Sequence, residues 1–167
     1  MLETHNKSVT QNTISLAVVR AKALGLIGRR DYSQSELQKK LLEKFPQEAS
    51  FVQEVIEEFL KSSWISDMRY TQEFVREKSQ YGKWGPIKIS QKLREKGIEK
   101  GVIQSIIESD FSEEIQQEVA KQLAEEKWNR LYKKTAPERK AAVQRFLSSR
   151  GFSFSIVLEA TQSLSQE

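Results

Sequence analysis

Three lysines at four-residue intervals, Lys88, Lys92 and Lys96 in "GKWGPIKISQKLREKGI" (82–98), form the first grouping whose type and spacing suggest chemistry. On a helix that interval stacks them in one stripe. Such a ridge of positive charge suits phosphates or an acidic protein surface, although a solvated face is the plainer reading. Side chains that make or break bonds are scarce. The chain has no cysteine, which excludes disulfides, thiolate metal sites and cysteine nucleophiles. Its single histidine, His5, lies in the polar tail "MLETHNKSVTQNT", without the rigid surroundings that a proton shuttle or metal ligand requires. The acid pairs Glu57–Glu58, Glu113–Glu114 and Glu125–Glu126 are adjacent, so a helix points their members in different directions. "GKWGP" lacks the second half of a phosphate-binding loop, and no zinc spacing or nucleophile elbow occurs. The expectation is a non-enzymatic protein with no catalytic residue, metal or cofactor.

The elements that would position those lysines are helices. At 167 residues, with 38% apolar and 30% charged residues, three Pro and seven Gly, the composition suits a folded, highly charged helical protein. No apolar run approaches the roughly 18 to 20 residues needed to span a bilayer. The tail lacks the apolar segment of a signal peptide, so a cytoplasmic protein without membrane contact is expected.

Apolar residues recur at intervals of three and four almost throughout. A first helix is expected over 13–28, with Ile14, Ala17, Val18, Ala21, Leu24 and Ile27 on its apolar face. Ser33 and Glu36 match a capping box opening a second helix, whose buried stripe is Leu37, Leu41 and Phe45 and which Pro46 stops. A third buries Phe51, Val52, Val55, Ile56 and Phe59. Ser66 caps a fourth, with Asp67 in its first turn and Tyr70, Phe74 and Val75 inward. The lysine-bearing fifth helix opens at Pro86, buries Ile89 and Leu93, and closes at Gly97. A short sixth carries Val102, Ile103, Ile106 and Ile107.

The order then repeats. Leu37 and Leu41 align with Ile89 and Leu93 at an offset of 52, and Ile89, Leu93, Gly97 and Ile98 align with Val143, Leu147, Gly151 and Phe152 at 54. A third triplet follows: 114–133 with Ile115, Val119, Leu123, Trp128 and Leu131; 137–149; and 153–164. The expected fold is all-α, with three tandem three-helix repeats in an elongated, curved, right-handed or solenoid-like array. Its parts would be a tail over 1–12 and repeats over 13–63, 64–109 and 110–167.

Charge alternates along this plan. Residues 76–100 carry eight Lys or Arg against three Glu, a local +5, exceeding the +4 of the whole chain. Residues 108–126 come to −6 (seven acids, one lysine) and 127–150 to +7 (eight basic residues, one Glu). A solvated mixed surface would produce such alternation, and it also suits an elongated body with basic ridges on the first two helices of each repeat, with Trp84 and Trp128 beside them for stacking or for packing between helices.

Three stretches, "ALGLIGRRDYSQSELQKKLLEKF", "WISDMRYTQEFVREK" and "YGKWGPIKISQKLREKGI", carry a resemblance to the RecX family, regulators of the RecA recombinase. The most specific elements are Arg29 or Arg30 through Ser33, Glu36 and Leu37; Asp67 with Tyr70; and Gly85-Pro86 leading to Lys96-Gly97-Ile98. Thr71 stands where the family usually has alanine. The resemblance implies a monomeric partner of the RecA filament, possessing no cofactor, that binds in the filament groove and suppresses ATP hydrolysis and strand exchange in recombinational DNA repair. Contact with single- or double-stranded DNA is expected beside it, and a stand-alone nucleic-acid-binding helical protein is the alternative. Candidate contacts are Arg29, Arg30, Lys40, Lys83, Lys88, Lys92, Arg94 and Lys96, with Leu37, Trp64, Tyr70 and Leu93 structural.

Overall fold

The computed structural model describes residues 15–162 and 164; His5 and Ile14 lie outside them. Among the described residues the chain is all-helical: α1 (Leu16–Ile27), α2 (Gln34–Lys44), α3 (Ala49–Lys61), α4 (Asp67–Gln80), α5 (Pro86–Glu95), α6 (Lys100–Asp110), α7 (Glu113–Arg130), α8 (Ala136–Arg150) and α9 (Phe154–Gln162). Each helix packs chiefly against the two others of its own triplet. The expected tandem three-helix architecture is therefore the one the chain adopts. None of these helices is long and apolar enough to cross a membrane.

The cores are two. Val19, Ala23, Leu37, Leu41, Val52, Val55, Ile56 and Phe59 close the first triplet on itself. The second and third triplets share one cluster running from Val75, Ile89 and Leu93 through Phe111 to Val143, Leu147 and Ile156. Burial of such side chains supplies about 1.5–3 kcal/mol each, so fusing two small triplets into one core gives each a stability it would lack alone.

Three details depart from expectation. α1 buries Val19 and Ala23, whereas Ala17, Val18, Ala21 and Leu24 face outward. "LAVVRAKALGLI" is apolar on every side, so spacing alone does not choose a face; packing on α3 does, with Arg20 bonded to Glu58 at 2.6 Å beside it. In α7, Ile115 is exposed and the buried residues are Ala120, Leu123 and Ala124, because two alanines let α9 approach closely. The same helix ends at Arg130, before Leu131, whose N–H bonds the Trp128 carbonyl in a tighter turn.

Caps follow the sequence more closely. Ser66 Oγ accepts from Arg69 N–H, and Gly97 and Gly151 take the left-handed φ values of +77° and +90° that end α5 and α8. At α8, Thr135 and Glu138 form a reciprocal capping box. At α2 only half of one forms. Ser33 Oγ accepts from Glu36 N–H at 3.1 Å, but the Glu36 carboxylate turns away to Lys96 and Arg30, which offer charged donors in place of a neutral amide.

Candidate functional site

The eight cations singled out from the sequence fall on several surfaces. Arg29 is exposed between α1 and α2. Arg30 lies over the Tyr32 ring at 3.6 Å and reaches Glu36 at 3.4 Å. Lys40 and Lys96 line one polar hollow with Ser35, Glu36, Lys39, Glu43 and Glu95. Lys83 sits in the α4–α5 loop beside α7 and α8. On α5, Lys88 covers Trp84 at 4.6 Å, Lys92 pairs with Glu95 at 2.6 Å, and Arg94 edges an apolar groove lined by Pro86, Ile87, Ile103 and Ile107.

Lys96 is bound inward. Its ammonium donates to Glu36 at 2.8 Å and lies 5.8 Å from the Tyr70 ring centre. Burial works to lower its pKa, but hydrogen bonds to Glu36 and Tyr70 outweigh that and hold it above the ordinary lysine value. Burial likewise works to raise the Glu36 carboxyl, and bonds from Lys96 and Arg30 overcome it and hold that group below the usual carboxylate range. Asp67, which accepts from Gln34 N–H at 2.8 Å, is pushed up by burial against that single bond.

These contacts belong to a joint between triplets, and the joint is built twice. At the first, Ser33 Oγ donates to the Lys96 carbonyl at 2.7 Å, and Gly97 packs so tightly on Ser35 that a Cβ would overlap it. At the second, Gly85 N–H donates to the Arg150 carbonyl at 2.8 Å and Ile87 N–H to the Gly151 carbonyl at 3.0 Å. A Cβ on Gly151 would meet Lys88 at 2.5 Å. Lys96 and Arg150 are 54 residues apart, and Ser33 and Gly85 are 52 apart, the offsets of the repeat itself. The C-terminal end of α5 meets the N-terminal end of α2, and that of α8 meets α5. At each joint the carbonyl at a helix C-terminus finds a donor at the start of another helix, the Ser33 hydroxyl at the first and the Gly85 and Ile87 N–H groups at the second, and opposite ends of the helix macrodipoles face one another.

Sequence reasoning read Gly97 and Gly151 only as helix terminators and missed them as docking points. The available signal was the recurrence of a basic residue followed by Gly and an apolar residue, Lys96-Gly97-Ile98 and Arg150-Gly151-Phe152. Of the residues expected to be structural, Leu37 and Leu93 are fully buried, Tyr70 nearly so, and Trp64 stays half in solvent while packing on Phe59 at 5.0 Å. Thr71 is buried and satisfied, its hydroxyl donating to the Asp67 carbonyl at 2.6 Å. Trp128 is partly buried beneath the Arg139 guanidinium, 3.9 Å from its ring centre.

Family models match all three triplets: the RecX first three-helix domain over 20–59, the second over 66–106 and the third over 113–161. The chain belongs to the RecX family. A Regulatory protein RecX from Actinobacillus pleuropneumoniae serotype 5b is 40% identical over 75 residues, covering 44% of this chain and 48% of the relative. One from Streptococcus uberis is 41% identical over 56 residues, covering 34% and 22%. The chain thus aligns with about half or less of the length of these curated relatives. The crystal structure of RecX from Lactobacillus salivarius superposes with a TM-score of 0.80, covering 89% of this chain and 96% of that one at 22% identity, a likeness of fold. A second RecX crystal structure gives 0.76 at 28% identity, covering 84% and 70%.

Proposed function

We propose that this RecX-family chain is a non-enzymatic, monomeric regulator that binds the RecA–DNA filament and restrains its ATP hydrolysis and strand exchange in recombinational DNA repair. Family membership in all three triplets supports a regulatory role. The observation that carries the reading is α5. It sits between the two joints, buries Ile89 and Leu93 completely, and turns Lys92 and Arg94 outward within the +5 block. A helix held at both ends presents its charges at fixed spacing, which suits a partner that repeats at fixed spacing.

The charges serve two purposes in this reading. Lys92, Arg94, Lys83, Lys40 and Arg29 act on the partner, and Lys88 contributes from its place over Trp84. Lys96 and Arg30 hold the first joint through Glu36 and shape the surface indirectly.

The test is the DNA-dependent ATPase of preformed RecA filaments, titrated with the chain and with Lys88→Glu/Lys92→Glu/Arg94→Glu. Lys96 is left unchanged there, since a glutamate at that position would face Glu36. The parent should inhibit, and the triple variant should need at least tenfold more protein for the same effect with an unchanged helical circular dichroism spectrum. Absence of inhibition by the parent at filament-saturating concentration would sink the proposal.

A further inference from the structure

The two joints are unequal in what holds them. The second is built into a core: Phe111, on the link between α6 and α7, is fully buried, and one apolar cluster runs through both triplets from Val75 to Ile156. No buried apolar cluster among the described residues spans the first joint, because the core of the first triplet closes on itself. Polar contacts cross it instead. The Ser33 hydroxyl donates to the Lys96 carbonyl at 2.7 Å, the Gln34 N–H to the Asp67 carboxylate at 2.8 Å, and the Lys96 ammonium to the Glu36 carboxylate at 2.8 Å.

The last of these contacts lies within reach of water. The Lys96 and Glu36 side chains keep 27% and 21% of their surface exposed, so dissolved ions can screen the pair. Charged groups surround it on both sides: Arg30 reaches Glu36 at 3.4 Å from the first triplet's own loop, Lys39, Lys40 and Glu43 come from α2, and Glu95 comes from α5. Tyr70 of α4 faces the same pair. Apolar burial, which closes the second joint, has no such sensitivity to moderate salt. The connecting chain differs as well. Between α3 and α4 it runs through Ser63, whose φ of +56° is left-handed, and through Trp64, which is half in solvent. Arg69 donates to the Ser63 and Trp64 carbonyls at 3.2 and 3.0 Å, which shapes this surface turn without enclosing it. A few residues at the end of an element are where a hinge absorbs its change in backbone angles.

We infer that the first joint is a hinge latched by the Glu36–Lys96 pair, about which the first triplet swings as a body while the second and third move as one. Salt loosens the latch, and Arg30 braces it by holding Glu36 from behind. The inference concerns the chain alone and does not depend on the filament reading.

Three amides report on the joints separately. Gln34 N–H precedes the first hydrogen bond inside α2, so its partner is Asp67 across the first joint. Gly85 and Ile87 N–H precede the first bond inside α5, and their partners are Arg150 and Gly151 across the second. Leu41, fully buried in α2, reports the unfolding of the first triplet itself.

The experiment is residue-resolved amide hydrogen exchange by NMR on the full chain, with no recombinase or nucleic acid present. Gln34 should be less protected than Gly85, Ile87 and Leu41 by about tenfold or more. Raising salt from about 0.05 to about 0.5 M should lower its protection by about threefold or more, with the other three shifting less than about twofold. Glu36→Gln and Lys96→Gln, which approach the latch from opposite sides, should each reproduce that loss at low salt and remove the salt response. The double variant should lose no more than either single one, since both break one contact. Circular dichroism verifies that the variants are folded, and the salt series on the parent needs no variant. Protection of Gln34 equal to that of Gly85 and Ile87 would overturn the hinge, as would Gln34 and Leu41 exchanging together. A Gln34 amide indifferent to salt and to both substitutions would overturn the latch, because a local turn of the Asp67 side chain would then account for its exchange.

Discussion

Gly85→Ala isolates the second joint. Gly85 has φ −80°, where alanine is as comfortable as glycine, so the substitution adds no backbone strain. The added methyl would instead fall inside the contact distance of the Gly151 carbonyl and the Phe152 nitrogen. Both are main-chain atoms that no rotamer change can move. Relief requires α5 and the end of α8 to separate, which breaks the Gly85 N–H bond to Arg150 and the Ile87 N–H bond to Gly151. Each bond contributes about 1 kcal/mol net, and more if its donor stays buried without a partner. The expected loss is therefore about 2–4 kcal/mol, or a fall in Tm of about 10 °C for a chain of this size. Urea denaturation followed by circular dichroism and by tryptophan emission, to which Trp84 beside the substitution contributes along with Trp64 and Trp128, measures it. Gly25→Ala is the internal control, since a Cβ there meets nothing within 4 Å inside α1 and should stabilise by up to about 1 kcal/mol. A Gly85→Ala variant within about 0.5 kcal/mol of the parent would refute the claim that backbone contact holds this joint.

Further expectations concern caps and the polar joint. Thr135→Ala should destabilise α8 by about 1 kcal/mol by removing a reciprocal capping box, as read from the denaturation midpoint. Glu36→Gln should cost under about 1 kcal/mol near neutral pH, because the pair with Lys96 is partly solvent-screened. The Glu36 carboxyl is lowered in the folded state, so its contribution is present above its unfolded value near about 4.3 and fades as acid protonates it. Parent and Glu36→Gln should accordingly draw together as the pH falls below about 4.3 and through the lower folded-state value, and a gap that does not narrow over that fall would contradict the ion-pair account. Asp67→Asn keeps an oxygen to accept from Gln34 N–H and relieves a buried charge, so it should be far milder than Asp67→Ala in the same assay.

How far the fold could be read from the residues depended on side-chain size. Where large apolar residues alternate with charged ones, as in α3 and α5, spacing named the buried face, and Val52, Val55, Phe59, Ile89 and Leu93 are all enclosed. Where alanine does the packing or apolar residues surround the helix, as in α7 and α1, periodicity lost its information and the neighbouring helix decided. The candidate site was less legible for a different reason. A lysine at helical spacing shows which side it leaves from, but not that Glu36, 60 residues earlier in the chain, waits to pair with it. Similarly, Arg150 and Lys83 are distant in sequence and adjacent only because α8 ends where α5 begins.

The joint between triplets is a heterologous contact, one end of a unit meeting the opposite end of the next. Contacts of that kind tend to continue indefinitely from molecule to molecule. Here the series stops itself. α2 finishes at Phe45 with φ −130°, followed by Pro46, and so lacks the left-handed glycine that would dock it onto another α5 or α8. At the far side, the Thr135 N–H, which stands where Gly85 stands at α5, is already bonded to the Glu138 carboxylate, and Pro137, which stands where Ile87 does, has no N–H to offer. The described stack is therefore polar, and its two ends differ in chemistry from the two joints inside it.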